Sequence, residues 1–444
     1  MTGTYRSTAL ICLVLILAAA AWLRFEATAE TLVQAPIRAD AGQYVAYAYN
    51  LKHHGVYSRQ KPSGESPPTP DAVRSPGYPL FLTAFFDAFS KQELDRLLLG
   101  QAALGTATVL LSYLLFRLFL PVGLALAGSA LTALSPHLIS LETYVLTETL
   151  FCFLLVGGLY VLTLAQRRAN AVPWLLLAGT VLATCALVRP IMQYFVVALP
   201  ILLFLHDRKA PILRPSLLFA AGFVAVFAWW PLRNLVVLGM TSDPHLVINF
   251  LHHGHYPDFM YEGRGATFGS PYHFDPASPE FSKSVKAALV GIWERIVNEP
   301  ARYLAWFLLG KPLAFWSWSI VAGAGGIFVY PVLQSPFLDN VVFQSVVTLM
   351  QHAHGPILVL ALIAAIMVWA PSLKRDIDPA TLFAARLCVF VLVYFTGLHM
   401  IGAPFPRYAV PLRPLLYGVA CLAPLLGFVA ARSLFKEFYS RGAR

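Results

Sequence analysis

Apolar residues arrive in long blocks, and polar residues gather between them. The first block is 10–23, behind Arg6. Others follow at about 96–116, 121–140, 145–165, 172–189, 190–206 and 215–236, and again at about 355–371, 382–402 and 408–430. One helix needs about 20 apolar residues to cross a bilayer. The pattern therefore predicts an all-α, polytopic membrane protein. Ala27-Thr28-Ala29 resembles a signal-peptide cleavage site, but the many blocks behind it favour a retained first span. Two polar stretches, 26–93 and 240–300, interrupt the series. The block 302–323 is broken by Lys311-Pro312, and reads either as a span or as a segment that re-enters and leaves on one side. The expected organisation is a first transmembrane helix (1–25), a long outer loop (26–93), a transmembrane bundle (94–239), a second outer loop (240–300), a C-terminal bundle (301–431) and a cytoplasmic tail (432–444).

Inside the first polar stretch the periodicity becomes helical. Residues 38–57 read RADAGQYVAYAYNLKHHGVY. Tyr44, Tyr47 and Leu51 recur at helical spacing from Asp40, so acid and aromatics share one face. This predicts an amphipathic helix on the membrane surface with the acid at its edge. Asp40 with Gln43 three residues on is also a capping-box variant, and an acid that starts a helix is well fixed for chemistry. A loop at 59–75, rich in Pro, Ser and Gly, leads to a second short helix at about 78–89. That helix is too short to span and is expected in the interface.

Composition excludes a soluble fold. The chain is 58% hydrophobic and 12% charged, where soluble domains are about a quarter charged. The net charge of +10 does not call for nucleic acid. Arg117, Arg167-Arg168, Arg208-Lys209-Arg214, Lys374-Arg375 and the tail cations Arg432, Lys436, Arg441 and Arg444 fall on one side of the spans. The positive-inside rule makes that side cytoplasmic. Both termini are then cytoplasmic, and the span number is even, ten to twelve according to whether 302–350 makes a hairpin. Cys12, Cys152, Cys185, Cys388 and Cys421 lie in apolar runs without a CxxC pair, which excludes a disulfide framework and a cysteine metal site.

The candidate chemistry is therefore on the outer face. Glu142 sits at an outer turn, and Glu148 lies inside the start of an apolar run. An ionisable group within a span is a functional-site candidate facing a wet cavity; the blander reading is an interfacial glutamate reaching water. Arg189, Arg233 beside Asn234, Lys311, and Arg407 beside Tyr408 are isolated cations at outer ends of spans. Any one could snorkel. Four, against the positive-inside bias, suggest an anionic ligand such as a lipid phosphate, which Arg binds bidentately. His252, His253 and His255 match no metal-ligand spacing and read as loop or substrate contacts, and His137 as a packed interfacial histidine. No nucleotide-binding, zinc-protease or serine-hydrolase motif stands in a suitable context. A group-transferring enzyme with its acids outside and no nucleotide site must take its donor from the membrane.

Several short stretches carry a resemblance. Asp40…Tyr44 with Asn50 and Gly55, then Arg74-Ser75-Pro76-Gly77-Tyr78-Pro79, then Leu146-Thr147-Glu148-Thr149-Leu150-Phe151, Trp230-Pro231-Leu232-Arg233-Asn234 and Arg407-Tyr408…Pro411 resemble, in order and spacing, the GT-C fold glycosyltransferases. The similarity is closest to family 39, the dolichyl-phosphate-mannose-protein mannosyltransferase-like and aminoarabinose-transferase-like group, and extends to about Arg413. It implies a GT-C-like bundle of about 10–12 transmembrane helices with interfacial helices in the first outer loop. It further implies an inverting transfer from a polyprenyl-phosphate-linked sugar to a glycan, lipid or protein acceptor, in the inner (plasma) membrane of a bacterium. Asp40 would be the general base. Glu148 or Glu142 would orient the acceptor or hold a divalent ion, the one cofactor the resemblance allows. Tyr44, Arg74, Tyr78, Arg189, Arg233, Asn234, Lys311, Arg407 and Tyr408 would contact substrate, with Arg233, Lys311 or Arg407 steadying the leaving phosphate. Many members have Asp-Glu where this chain has Asp40-Ala41, which favours Asp40 as a lone base over half of a metal site. Competing readings are a transporter or flippase of lipid-linked sugars, and a ligase or polymerase of surface polysaccharide. The first would need paired broken helices, and only 302–323 is broken.

Overall fold

The computed structural model describes residues 3–61, 67–88, 90–321 and 326–442. Part of the expected loop at 59–75, residues 62–66, lies outside them. The chain is helical nearly throughout. Its first half comprises α1 (Gly3–Glu30), α2 (Ala39–His54), α3 (Gly77–Leu82), α4 (Lys91–Phe116), α5 (Val122–Ala133), α6 (Pro136–Leu141), α7 (Glu148–Ala165), α8 (Val172–Val188), α9 (Phe195–His206), α10 (Leu213–Phe227) and α11 (Trp229–Leu238). The polar stretch behind it holds α12 (His245–Gly254), α13 (Ser278–Phe281) and α14 (Val285–Asn298). Then follow α15 (Pro300–Ala305), α16 (Lys311–Phe315), α17 (Pro336–Asp339), α18 (Val341–Met367), α19 (Leu373–Asp376), α20 (Pro379–Ile401), α21 (Pro406–Ala409) and α22 (Arg413–Gly442).

Among the described residues six helices are long and apolar enough to cross a membrane: α1, α4, α7, α18, α20 and the run Pro406–Ala431. The pair α10–α11, bent by 41° at Ala228, makes a seventh if counted as one span. Three shorter apolar helices, α5, α8 and Pro190–His206, stand where further spans were expected. The expected ten blocks are thus all helical, but three fall short of full span length. Among the described residues, 302–321 hold no helix long enough to span, because the helical run that begins at Pro300 ends at Phe315. Pro312 cannot donate to the ladder, and Trp306–Gly310 relaxes into a π turn between α15 and α16. Conversely the span expected at 355–371 begins earlier, at Val341, where Asn340 caps it by accepting from the Val342 amide at 2.9 Å.

The core is a continuous apolar cluster joining α4, α7, α8, α10, α18, α20 and α22. Helices α8 and α10 pack at backbone contact. A Cβ on Gly222 would come 2.1 Å from the Leu176 carbonyl oxygen, so only glycine permits this approach, as at small-residue interfaces of membrane helices. A two-stranded antiparallel ribbon, β1 (Leu32–Val33) with β2 (Val332–Gln334), pairs Leu32 with Gln334 and Val33 with Val332. It ties the segment after α1 to the segment before α17.

The first polar stretch differs from expectation in its setting. Helix α2 is not laid on a surface: Ala41, Tyr44, Val45, Tyr47, Ala48 and Asn50 are all buried in the protein. Period 3.6 announces one apolar face, but cannot say whether lipid or protein covers it. The second short helix stops at Leu82, and Tyr78, Pro79 and Leu82 are buried.

Candidate active site

Two acids and three arginines converge where five chain breaks meet. Asp40 lies in the first turn of α2, with Arg38 and not Asp40 at the cap position. The chain turns into the helix through Ala39, held at φ 47°. That left-handed conformation costs a non-glycine residue about 1–2 kcal/mol, and it aims the acid inward. Arg74 comes from the loop before α3. Glu148 opens α7, where the helix N-terminus favours negative charge. Arg189 ends α8 in extended conformation, because Pro190 bars the helical region to the residue before it. Arg407 follows Pro406, the first residue of α21.

The Arg74 Nη2 donates to Asp40 Oδ1 at 2.6 Å, and its Nε donates to Gln43 Oε1 at 2.8 Å. Gln43 therefore serves the arginine, and no capping box forms. Arg407 bridges the two acids: its Nε donates to Glu148 Oε1 at 2.5 Å, and both Nη atoms lie 3.5 Å from Asp40 Oδ2. The Arg189 Nη2 reaches the same Glu148 oxygen at 3.5 Å. Glu148 is 2% exposed, whereas Asp40 keeps 31% exposure. Of the two acids, Asp40 is the one open to a substrate. Burial alone would raise its pKa, but the Arg407 and Arg74 guanidiniums hold it below the ordinary value of 3.8. Three guanidiniums against two carboxylates leave one positive charge in excess.

Aromatic rings wall this cluster. The Arg74 guanidinium lies 5.6 Å from the Tyr44 ring, and Arg189 lies 4.9 Å from that of Tyr408. Tyr78 stands behind, edge-on to Tyr44 at 5.2 Å, and donates to Gln101 Oε1 at 2.9 Å. Arg38 covers Tyr330 at 4.9 Å.

Of the residues expected from sequence, Asp40, Tyr44, Arg74, Glu148, Arg189, Arg407 and Tyr408 come together. Glu142 does not join them. It forms a buried ion pair with Arg24 of α1, Nε to Oε1 at 3.0 Å, while Arg24 also donates to the carbonyls of Ala20, Thr132 and Ala133. Arg233 donates to the carbonyl of Asp71 at 3.0 Å and stacks near Tyr57 and Trp230. Asn234 accepts from Arg233 and donates to the Thr241 carbonyl. This pair therefore clamps the first polar loop onto α11. Lys311, fully buried, donates to the carbonyls of Met400 and Ile401 at 2.9 and 3.1 Å. Burial pushes its ammonium down to about 6, so it supplies no dependable charge at neutral pH. Its bonds fix the end of α20, from which the chain runs to Arg407.

Sequence reading missed the residues that hold the frame. Gln101 of α4, fully buried, donates to the Glu142 and Tyr144 carbonyls at 2.9 Å each and braces the turn that delivers Glu148. A lone amide in an apolar run was the available signal. Gln101→Leu is expected to leave those carbonyls unsatisfied and to cost about 1–3 kcal/mol, read as a lower midpoint in thermal unfolding. Asp71 accepts from the Tyr47 hydroxyl and from the Arg59 amide, and organises the loop below Arg74; nothing in its local pattern marks it. Gly77 rests on α8: a Cβ there would lie 2.7 Å from Leu187 C and Val188 N. These are backbone atoms one and two residues before Arg189. Gly77→Ala should push the Arg74 loop off this end of α8. A displacement of about 1 Å costs roughly 10²-fold in rate, which a transfer assay on normally inserted protein would detect.

Asp40 and Glu148 spend their near oxygens on guanidiniums, and among the described residues no three His, Cys, Asp or Glu side chains are placed to hold a metal ion. This donor set does not fit a divalent ion.

Comparison with known proteins bears on the fold and on part of the sequence. Residues 73–232 match the family model described as dolichyl-phosphate-mannose-protein mannosyltransferase. That segment contains Arg74, Glu148 and Arg189 and ends just before Arg233. The sequence matches no curated protein. In structure, the chain is similar to the oligosaccharyltransferase AglB from Archaeoglobus fulgidus, in complex with an inhibitory peptide and a dolichol-phosphate. The identity is 14% and the TM-score 0.52, covering 98% of this chain and 52% of that one. The apo form of the Archaeoglobus fulgidus oligosaccharyltransferase gives 15% identity, TM-score 0.50, and 99% and 53% coverage. ArnT from Cupriavidus metallidurans, bound to undecaprenyl phosphate, gives 14% identity over 93% of this chain and 77% of that one, at a TM-score of 0.40 that adds nothing to the fold assignment. The chain spans about half the length of the archaeal enzyme. It is a multi-pass membrane protein with a GT-C-like fold, and over residues 73–232 it carries the sequence pattern of the dolichyl-phosphate-mannose-protein mannosyltransferase family.

Proposed function

We propose that this protein is a membrane glycosyltransferase that moves a sugar from a polyprenyl-phosphate donor to an acceptor at the outer face, with inversion and with Asp40 as general base. One observation carries the reading: a partly exposed, ionised carboxylate stands beside an arginine cluster with an excess positive charge, at the break points of a GT-C-like bundle. The match to the mannosyltransferase family model supports it. The acceptor hydroxyl gives its proton to Asp40 as its oxygen bonds to the anomeric carbon. The bond from that carbon to the phosphate oxygen breaks, and its electron pair leaves on the lipid phosphate. That leaving group is already anionic, so it needs positive charge and not a proton. Arg407, with Arg74 and Arg189 beside it, supplies that charge. Arg233 and Lys311 are committed to backbone carbonyls, and their part is to hold the loops. The positive-inside reading of the basic loops supports a topology with both termini cytoplasmic and this site outside, and the membrane of this reading is the inner (plasma) membrane of a bacterium.

The test is incubation of purified protein with candidate polyprenyl-phosphate sugars and acceptors, scored for free polyprenyl phosphate. Release that depends on Asp40 is expected. No release from any lipid-phosphate sugar, with the protein folded, would overturn the reading.

A further inference from the structure

We propose that α14 and the helical stretch Pro300–Phe315 lie against the bilayer as a lipid-facing wall, with the hydrocarbon of membrane lipids as their partner. Helix α14 has three faces. Ala288 and Ile292 are buried with Leu251 and Phe281. Leu289, Trp293 and Val297, four residues apart, form a second face with Val290, and these side chains are 47–65% exposed. Glu294 and Asn298 occupy the third face and are exposed to solvent. A helix with one face on protein, one apolar and bare, and one polar is what a membrane interface selects. In water, a bare tryptophan among three aliphatic side chains would be an unexplained apolar patch.

The stripe continues past α14. Leu304, Leu308, Leu309 and Leu313 are 49–74% exposed. Between Arg302 and Lys311 the sequence carries no charge, and Lys311 itself turns inward to the carbonyls ending α20. The charge that would oppose lipid contact is thus withdrawn from this surface. The π turn at Trp306–Gly310 keeps Tyr303 and Trp306 buried while Leu308 and Leu309 face out.

Continuity decides the occupant. Helix α16 packs on the spanning helix α20, whose Val393 and Ile401 are 59% and 57% exposed, so the stripe joins a surface that already faces lipid. Exposed Lys286 at the first turn of α14 and half-buried Arg302 behind the helix flank it, where long cationic side chains reach head-group phosphates.

The experiment uses full-length protein in phosphatidylcholine–phosphatidylglycerol vesicles. Cys152, Cys185 and Cys388 are buried, so Cys12→Ser and Cys421→Ser leave a background that a bulky thiol reagent does not label. A nitroxide is attached at Trp293→Cys, or at Glu294→Cys on the polar face. Collision with oxygen, which concentrates in lipid, is compared with collision with a water-soluble nickel chelate. Oxygen is expected to dominate several-fold at 293 and the chelate at 294. Equal access of the chelate to both positions would place the stripe in water. Shielding of 293 from both probes would place a protein there, a partner or a second copy. Either result overturns the proposal. Leu289→Cys reads the same face if Trp293→Cys does not fold.

Discussion

Asp40→Asn is expected to lower sugar transfer by about 10²–10⁴-fold, the usual contribution of a positioned general base, while the protein still inserts and folds. Asparagine has nearly the same shape, and its amide oxygen can still accept from Arg74, so the frame survives and only the proton acceptor is lost. Because the Arg407 and Arg74 guanidiniums outweigh burial and hold Asp40 below 3.8, the wild-type protein should keep Asp40 ionised from neutral pH down to below pH 4. The acid limb of its kcat/KM profile should lie there and vanish in Asp40→Asn. An acid limb near pH 6–7, where an unpaired buried carboxyl would titrate, would point to another base. The linkage has the same sign: a depressed folded pKa stabilises the protein above the unfolded value, and that stability is lost as pH falls through the folded one. Unchanged turnover in Asp40→Asn would remove it from the mechanism.

Glu148→Leu carries the largest expected loss of stability. The carboxylate is 2% exposed and is the common partner of Arg407 and Arg189. Removing it leaves two guanidiniums facing each other across an apolar void. Breaking a buried pair in this way costs about 3–5 kcal/mol, far above an exposed pair, which is worth about 0–1 kcal/mol. Glu148→Gln keeps an acceptor and should lose less. The ordering wild type, Gln, Leu in thermal unfolding under one detergent condition checks the argument. A Leu variant as stable as wild type would mean that this ion cluster does not hold α7, α8 and α21 together. Activity should fall in both variants, because Arg407 loses its tether and with it its position against Asp40.

Much of the site was legible because each residue broke a local rule. Glu148 is an acid within an apolar run, Arg189 and Arg407 sit beside prolines between spans, and Asp40 is an acid on the aromatic face of a helix, although the sequence suggested a cap there that the structure gives to Arg38. Arg233, Lys311 and Glu142 broke similar rules, yet the structure gives them framing bonds instead: carbonyls of a loop, carbonyls of a helix end, and Arg24. A charge at the end of an apolar run announces a cost to be met, and sequence does not say which partner meets it.

The sequence by itself determined a helical membrane protein with two long polar stretches, because bilayer thickness converts apolar run length directly into span candidates. It also supplied the acids and arginines of the site. Only the tertiary structure decided that α2 is covered by protein, that three apolar helices are short, and that the helical run from Pro300 passes through a π turn and stops at Phe315. It alone chose Glu148 over Glu142 as the acid beside Asp40. The physical reason is shared: amphipathic period and isolated charge are properties of one segment, whereas the covering surface and the counter-charge belong to segments tens to hundreds of residues away. Asp40 meets Arg407 across 367 positions of chain, a distance only packing can close.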